Sequence, residues 1–141
     1  MEKQISVSLG FIKNVKDSVV KKLNCKDDFE LHKKFEGIEF YKKHLKKLVG
    51  IYYVEKMFCI NLLNVKDLLN SSDEFEFNNT FYKIKVLELD ENIVLIAEKD
   101  ITYIFLHCFN DFKNVKIIGI WKSLNKNEIK LNLDEVKKII N

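Results

Sequence analysis

The segment "ITYIFLHCF", residues 101–109, constrains the fold more than any other part of the chain. Successive side chains of a strand point to opposite faces of the sheet. Tyr103 and Phe105 therefore share one face, and Ile104 and Leu106 share the other. A strand that is apolar on both faces belongs in the middle of a sheet that is covered on both sides.

Helices in the first fifty residues are expected to supply part of that cover. Apolar side chains recur at helical spacing in residues 9–23 and again in residues 31–48. Between these stretches, Asp27 precedes Glu30 by three residues, which is the pattern of a capping box. Gly50 follows the second stretch and predicts the end of its helix.

The rest of the chain predicts β-structure. "IYYVEKMFCINLL", residues 51–63, is rich in strand-forming residues, and "NVKDLLN" after it predicts a short helix or turn. Strand-like runs then alternate with turn-like residues, such as Asn78–Asn79. The runs are "EFEF", "TFYKIKVLELD", "NIVLIAE", "ITYIFLHCF", "VKIIGIW" and the shorter "IKLNL".

These patterns predict an α+β fold. We expect N-terminal helices packed on an antiparallel or mixed sheet of about five strands, followed by a short C-terminal helix. A single domain is predicted over residues 1–141, helical over 1–50, mainly a β meander over 51–133 and helical over 134–141.

The composition narrows the class of protein. Hydrophobic residues make up 47% of the chain, which favours a packed core over disorder. No apolar run approaches the roughly 20 residues of a membrane span, and the first residues lack a signal-peptide core. Three widely spaced cysteines argue against a disulfide framework and favour a reducing compartment, and we expect them to be small, buried side chains. We therefore expect a soluble cytoplasmic protein with no membrane partner.

Two absences limit the chemistry of any phosphate or nucleic-acid site. The sequence has no glycine-rich loop, which excludes a P-loop and a Rossmann fingerprint. All 24 basic residues are lysines, so bidentate guanidinium contacts to guanine cannot form. Any nucleic-acid binding would depend on lysine charges and on shape.

Positive charge is concentrated in the N-terminal part of the chain. Residues 1–50 hold twelve lysines and seven acidic residues. Four of these lysines lie within two turns of the second predicted helix, where like charges repel unless an anion is near: Lys42, Lys43, Lys46 and Lys47. They are our candidate phosphate-contacting residues, with a solvated helix face as the ordinary alternative.

In the strand that begins at Phe81, the apolar side chains shift near Val86 from one face of the strand to the other. A β-bulge at Val86–Leu87 would restore one consistent inner face. It would also place four charged side chains on one polar side: Lys83, Lys85, Glu88 and Asp90. Such a cluster suits a metal-dependent phosphoryl site, but it is also what an ordinary solvated sheet face contains.

The order of elements resembles the restriction-endonuclease-like, or PD-(D/E)XK, family. "GIEFYKKHL" is similar to the helix that precedes the family's three-stranded meander. "SSDEFEFNNTFYKIKV" resembles the motif region, and "KDITYIFLHCFNDFKNVKIIGIWKS" resembles the later hairpin. Lys83 stands where the family requires Glu, Asp or occasionally Gln, and no proline precedes Asp73.

The resemblance implies a set of site residues. Asp73 falls at the position of the first carboxylate, Lys85 at that of the lysine, and Glu39 matches the helix glutamate. Glu88 would have to take the ligand role that Lys83 cannot fill. In an active enzyme, Asp73 and Glu88 would hold Mg²⁺ or Mn²⁺; without catalysis no cofactor is expected.

Three functions stay open at this point. The first is a non-catalytic, nuclease-like binding domain associated with nucleic acid. The second is a protein-binding inhibitor or accessory factor from a phage or other mobile element. The third is an active metal-dependent nuclease. The partner is accordingly a nucleic acid or a protein, and a homodimer is among the options.

Overall fold

The computed structural model describes residues 3–33 and 35–140, without the side chains of residues 28 and 35. Four helices are present in this part of the chain: α1 (Leu9–Lys22), α2 (Asp28–Lys33), α3 (Phe35–Phe58) and α4 (Leu133–Ile140). A single 3-10 turn spans Leu68–Asn70. The strands are β1 (Gln4–Ser6), β2 (Glu74–Phe77), β3 (Thr80–Leu87), β4 (Ile93–Ala97), β5 (Thr102–Phe109), β6 (Asn114–Lys122) and β7 (Asn127–Leu131).

Five of these strands form one mixed sheet in the order β1-β6-β5-β3-β2. The predicted α+β class, the sheet size and the short C-terminal helix are thereby confirmed. Neighbouring strands are antiparallel except β3 and β5, which are parallel. A simple meander was the wrong topology, because β4 leaves this sheet and pairs with β7 in a second, two-stranded sheet.

β5 has the environment that its sequence predicts. Every residue from Thr102 to Leu106 is buried. Ile104 and Leu106 belong to a core that α1 and α3 cover, whereas Tyr103 and Phe105 belong to a second core beneath β4, β7 and α4. The five-stranded sheet is therefore the middle of three layers.

The predicted strand at residues 51–63 is wrong, because α3 continues to Phe58 and the chain beyond it is coil. The predicted helical limit at residue 50 is wrong for the same reason. Ile51, Tyr53 and Val54 are almost completely buried. Burial of consecutive residues removes the 3.6-residue period, so a buried helix resembles a strand in sequence.

Gly50 does not end α3 but allows it to approach the sheet closely. A Cβ atom at this position would lie 2.5 Å from Val86 Cγ2 and 3.1 Å from Ile84 Cγ2. Distances under about 3.0 Å between carbon atoms are far inside van der Waals contact, which is near 3.5–4.0 Å. Glycine is therefore required where α3 crosses β3.

α3 ends at a residue that is not glycine. Cys59 adopts a left-handed conformation with φ of 56°, and the N–H of Ile60 donates to the carbonyl of Glu55. This is the six-to-one bond of a Schellman motif. The Glu55 carboxylate then accepts the N–H groups of Leu62 and Leu63, at 2.8 and 2.9 Å.

The predicted bulge at Val86–Leu87 is also wrong. β3 pairs with β5 in one continuous register from Tyr82 to Leu87. The apolar side chains change face because Ile84 and Val86 pack in the first core, whereas Leu87 packs in the second. The sheet's register shift lies instead between β5 and β6, at Phe105 and Leu106.

Several turn and cap predictions are confirmed. Asn78 and Asn79 both have positive φ in the β2–β3 hairpin, as a type I′ turn requires. At the start of α2, the Asp27 carboxylate accepts the N–H of Glu30 at 2.9 Å. The Glu30 carboxylate accepts the N–H of Lys26 at 2.8 Å, which completes a variant of the capping box.

We predict that Gly50→Ala destabilises the protein although alanine favours helices. The added methyl group would overlap Val86, and overpacking of this kind costs about 1–3 kcal/mol. Urea unfolding would measure the change. Gly10→Ala is the matched control, because Gly10 also lies in a helix and its Cβ would meet nothing within 4 Å.

The control variant should leave the free energy of unfolding unchanged or raise it by up to about 1 kcal/mol. Equal effects of the two substitutions would show that the contact between α3 and β3 does not limit packing at Gly50.

Candidate functional site

The candidate site lies at the edge of β3 beyond the end of its pairing with β2. β2 pairs with residues 80–83 of β3, which leaves the following residues of β3 without a strand on that side. A small pocket of about 150 Å³ opens there. It is lined by Lys43, Lys46, Lys47, Asp73, Ile84, Lys85 and Val86.

The position of Gly50 explains why α3 contributes lysines to this pocket. Residues three, four and seven positions before Gly50 lie on the same face of the helix as Gly50. These residues are Lys47, Lys46 and Lys43. Since Gly50 packs against Ile84 and Val86, the lysines preceding it lie beside the same strand.

The structure brings several sequence-predicted residues together here. Asp73 and Lys85, from the nuclease-like motif, line the pocket with three of the four candidate lysines of α3. Lys42 instead lines a neighbouring cavity together with Glu88. Glu39 is exposed on α3 and lines neither of these openings.

Glu88 is engaged by a lysine rather than placed beside Asp73 in the pocket wall. Its carboxylate lies 3.8 Å from Lys46 Nζ. Lys46 also forms a short ion pair with Glu91, whose other carboxylate oxygen accepts the N–H of Glu88 at 3.1 Å. Lys46 is therefore largely neutralised, and it fixes the β3–β4 turn to α3.

The free edge of β3 also offers a main-chain donor. The N–H of Ile84 donates to the carbonyl of Asp73 at 2.9 Å, and the N–H of Glu88 is held by Glu91. Main-chain N–H groups at alternate positions of a strand point to the same edge. The N–H of Val86 is thus directed to this edge, between the two satisfied groups and next to the lysines.

Within the described part of the chain, the remaining lysines of the pocket are not paired with a carboxylate. Lys47 Nζ donates to the neutral carbonyl of Leu69 at 2.8 Å. Among the described residues, no carboxylate lies within ion-pair distance of Lys43 or Lys85. Asp73 is the single acidic residue in the wall, so the pocket is positive overall.

His44, also in α3, lies in the same region of positive charge. Burial lowers the pKa of its imidazole, and the charges of Lys47 and Lys43 lower it further. A neighbouring cation disfavours the protonated ring, so the direction of this shift agrees with a concentration of positive charge along the helix.

Lys83, which replaces the family's second carboxylate, is used elsewhere. Its Nζ donates to Glu98 at 2.7 Å and lies 3.2 Å from Glu74. The bond to Glu98 raises the pKa of Lys83 despite partial burial, and the same bond lowers the pKa of the Glu98 carboxyl. Lys83 is thereby a cross-strand link and not a metal ligand.

The donor set does not favour a metal ion. No group of three or more His, Cys, Asp or Glu side chains suited to a metal occurs within residues 3–33 and 35–140. In the pocket, Asp73 is surrounded by lysines whose charge would repel a cation. The arrangement suits an anion instead.

Three other residues have structural roles. His107 is partly buried, and its Nδ1 lies 3.0 Å from the carbonyl of Leu87. Trp121 packs with Tyr103 in the second core. Cys108 is buried, as predicted, and burial raises the pKa of its thiol to about 12, which disfavours the reactive thiolate.

One cysteine differs from the expectation of small, buried side chains. Cys59 is exposed at the end of α3, whereas Cys25 is partly buried. No disulfide links the three thiols, which agrees with the sequence prediction.

Comparison with known proteins produced no match. The chain matches no protein-family model, no curated protein and no solved structure. The resemblance to restriction-endonuclease-like proteins therefore stays a prediction. The described part of the chain also contains no helix long and apolar enough to cross a membrane.

Sequence reasoning missed two parts of the site. Glu91, which positions Lys46, belongs to a turn whose partner lies 45 residues away in α3. The position of the Val86 N–H at the edge depends on where β2 stops pairing, and no side chain signals that point. The end of the "EFEF" run was the one available indication.

We predict that the stability of the protein falls as the pH is lowered from neutrality through the ordinary histidine pKa of 6.5. A histidine whose pKa is lowered by folding binds fewer protons in the native state than in the unfolded state. Stability therefore rises with pH in this window and is lost as the pH falls towards the native pKa of His44.

Urea midpoints measured between pH 5 and pH 8 for the wild type and His44→Gln would test this prediction. The variant should show a flatter dependence on pH. An identical dependence in both proteins would contradict the account of His44.

Proposed function

We propose that this protein is a non-catalytic domain that binds the phosphate backbone of a nucleic acid at the lysine-lined edge of β3. The observation that carries the proposal is the pocket itself, in which four lysines and one aspartate surround a strand edge that no other strand of the described chain pairs with. At about 150 Å³ it is smaller than the roughly 300–1,000 Å³ of typical small-molecule sites. It suits one phosphate group of a larger molecule.

A lysine outside the pocket supports a polymeric ligand. Lys42 lies next to Lys43 on α3 and lines the neighbouring cavity. A nucleic acid could therefore place one phosphate in the pocket and another beside Lys42.

The lysine side chains favour recognition of a nucleic acid by its charge and shape. Lysine is a compact point charge that contacts phosphate without the planar geometry that reads guanine. Binding of this kind is strongly dependent on salt and only weakly dependent on sequence.

The same residues argue against cleavage as the function. Lys83 is paired with Glu74 and Glu98, and Glu88 is paired with Lys46. Neither is positioned to complete a metal site with Asp73. The nuclease alternative thus lacks a second carboxylate in the pocket wall.

Fluorescence anisotropy with labelled single-stranded and double-stranded DNA and RNA tests the proposal. We expect binding at low salt that weakens steeply as salt increases, because each neutralised phosphate releases counterions. Absence of binding to all four ligands at low salt would contradict the proposal and favour the protein-partner alternative.

The double variant Lys43→Glu with Lys85→Glu should weaken binding by at least tenfold. It should also reduce the salt slope on duplex DNA by about 1 to 2, since each lost contact removes about 0.9. The matched control is Lys13→Glu with Lys137→Glu, which changes the net charge equally at exposed positions on α1 and α4.

Equal losses in both double variants would show that net charge alone governs binding and that the pocket has no special role. Thermal unfolding of each variant would confirm that the fold is retained.

Incubation of the same nucleic acids with Mn²⁺ or Mg²⁺ tests the nuclease alternative. We expect intact nucleic acid on a gel. Cleavage that disappears in Lys85→Ala would overturn the non-catalytic assignment and would place Lys85 in an active centre.

A further inference from the structure

A second and larger cavity lies where α1, α3 and the chain around the 3-10 turn meet. Its volume is about 590 Å³, within the roughly 300–1,000 Å³ range of small-molecule sites. Three segments form its walls: the last turns of α1, the first half of α3 and the chain around the 3-10 turn. The lining residues used below are Lys21, Lys22, Phe40, His44, Lys66 and Leu68.

Positive charge converges on this cavity from two sides. Lys21 and Lys22 come from the last turn of α1, where lysines also complement the helix dipole. Lys66 comes from the opposite wall. The one acidic residue in the lining, Asp67, accepts a hydrogen bond from the side chain of Asn70 at 2.5 Å. An anionic group would therefore be favoured near the lysines.

Two tilted rings and an aliphatic side chain supply the apolar part of the cavity wall. The rings of Phe40 and His44 lie with centroids 4.4 Å apart, and Leu68 adds an aliphatic surface. Aromatic and aliphatic walls of this kind accept a planar ring by stacking and by removing apolar area from water.

His44 provides a polar atom that has no partner within the protein. Its Nδ1 is shielded from solvent and forms no hydrogen bond with any residue in the described ranges. Buried polar atoms are normally paired, so each exception calls for an explanation. Rotation of the ring about its Cβ–Cγ bond would present a nitrogen to a ligand in the cavity.

We propose that this cavity binds a phosphorylated small molecule with a planar ring, of the nucleoside diphosphate class. The phosphates would contact Lys21, Lys22 and Lys66, while the ring would lie against Phe40 and His44. The proposal uses none of the lysines that line the β3 edge pocket, and it does not depend on nucleic-acid binding there.

Isothermal titration calorimetry with ADP as the probe, in buffer without divalent metal, tests this site. We expect saturable binding, at least tenfold weaker in Lys21→Gln with Lys22→Gln. Both lysines are exposed, so the fold should tolerate their replacement. The pair Lys43→Gln with Lys85→Gln should bind ADP as the wild type does, which separates this site from the proposed nucleic-acid surface.

Inorganic pyrophosphate and the Phe40→Ala variant test the ring-binding part of the proposal. Pyrophosphate should bind the wild type at least tenfold more weakly than ADP, and Phe40→Ala should reduce that difference. The proposal is overturned if ADP does not bind, if pyrophosphate binds as tightly as ADP, or if the Lys43 and Lys85 pair causes the larger loss.

Discussion

The contact between Gly50 on α3 and the side chains of Ile84 and Val86 on β3 fixes the rest of the arrangement. It sets how closely the long helix approaches the sheet. It also sets the rotation of the helix, because the residues on the same face as Gly50 must lie along β3. The lysines one and two turns earlier are therefore directed to the edge of that strand. The face of α3 that packs on the sheet through Gly50 therefore also carries the lysines of the candidate site.

The second determinant is the early end of strand pairing between β2 and β3. Once β2 has ended, the N–H of Val86 in β3 is directed to an edge with no neighbouring strand among the described residues, and Asp73 and Glu91 satisfy the groups on either side. Exposed strand edges are usually protected by charged side chains, lysine above all. Here the lysines serve that purpose and also line the proposed phosphate site, so protection of the edge and the proposed function have the same chemical basis.

Much of this fold follows from local sequence patterns, and the errors have identifiable physical causes. β5 was predictable because both of its faces are apolar, and the Asn78–Asn79 turn because two positive φ values favour asparagine. The second half of α3 was not predictable, because consecutive residues are buried there and the 3.6-residue spacing of apolar side chains is lost. In β3, the shift of apolar side chains from one face to the other suggested a bulge. The shift arises instead because two separate cores pack against opposite faces of this strand. The pairing of β4 with β7 is a long-range contact that no local pattern encodes.

The most direct test of the central claim is an ¹⁵N NMR titration with a short single-stranded oligonucleotide at low salt. If phosphate binds at the β3 edge, the amide of Val86 should show one of the largest chemical-shift changes, together with Lys43, Lys47 and Lys85. The resonances of α4 and β7 should be unaffected. Shifts confined to other surfaces, with Val86 unchanged, would contradict the account.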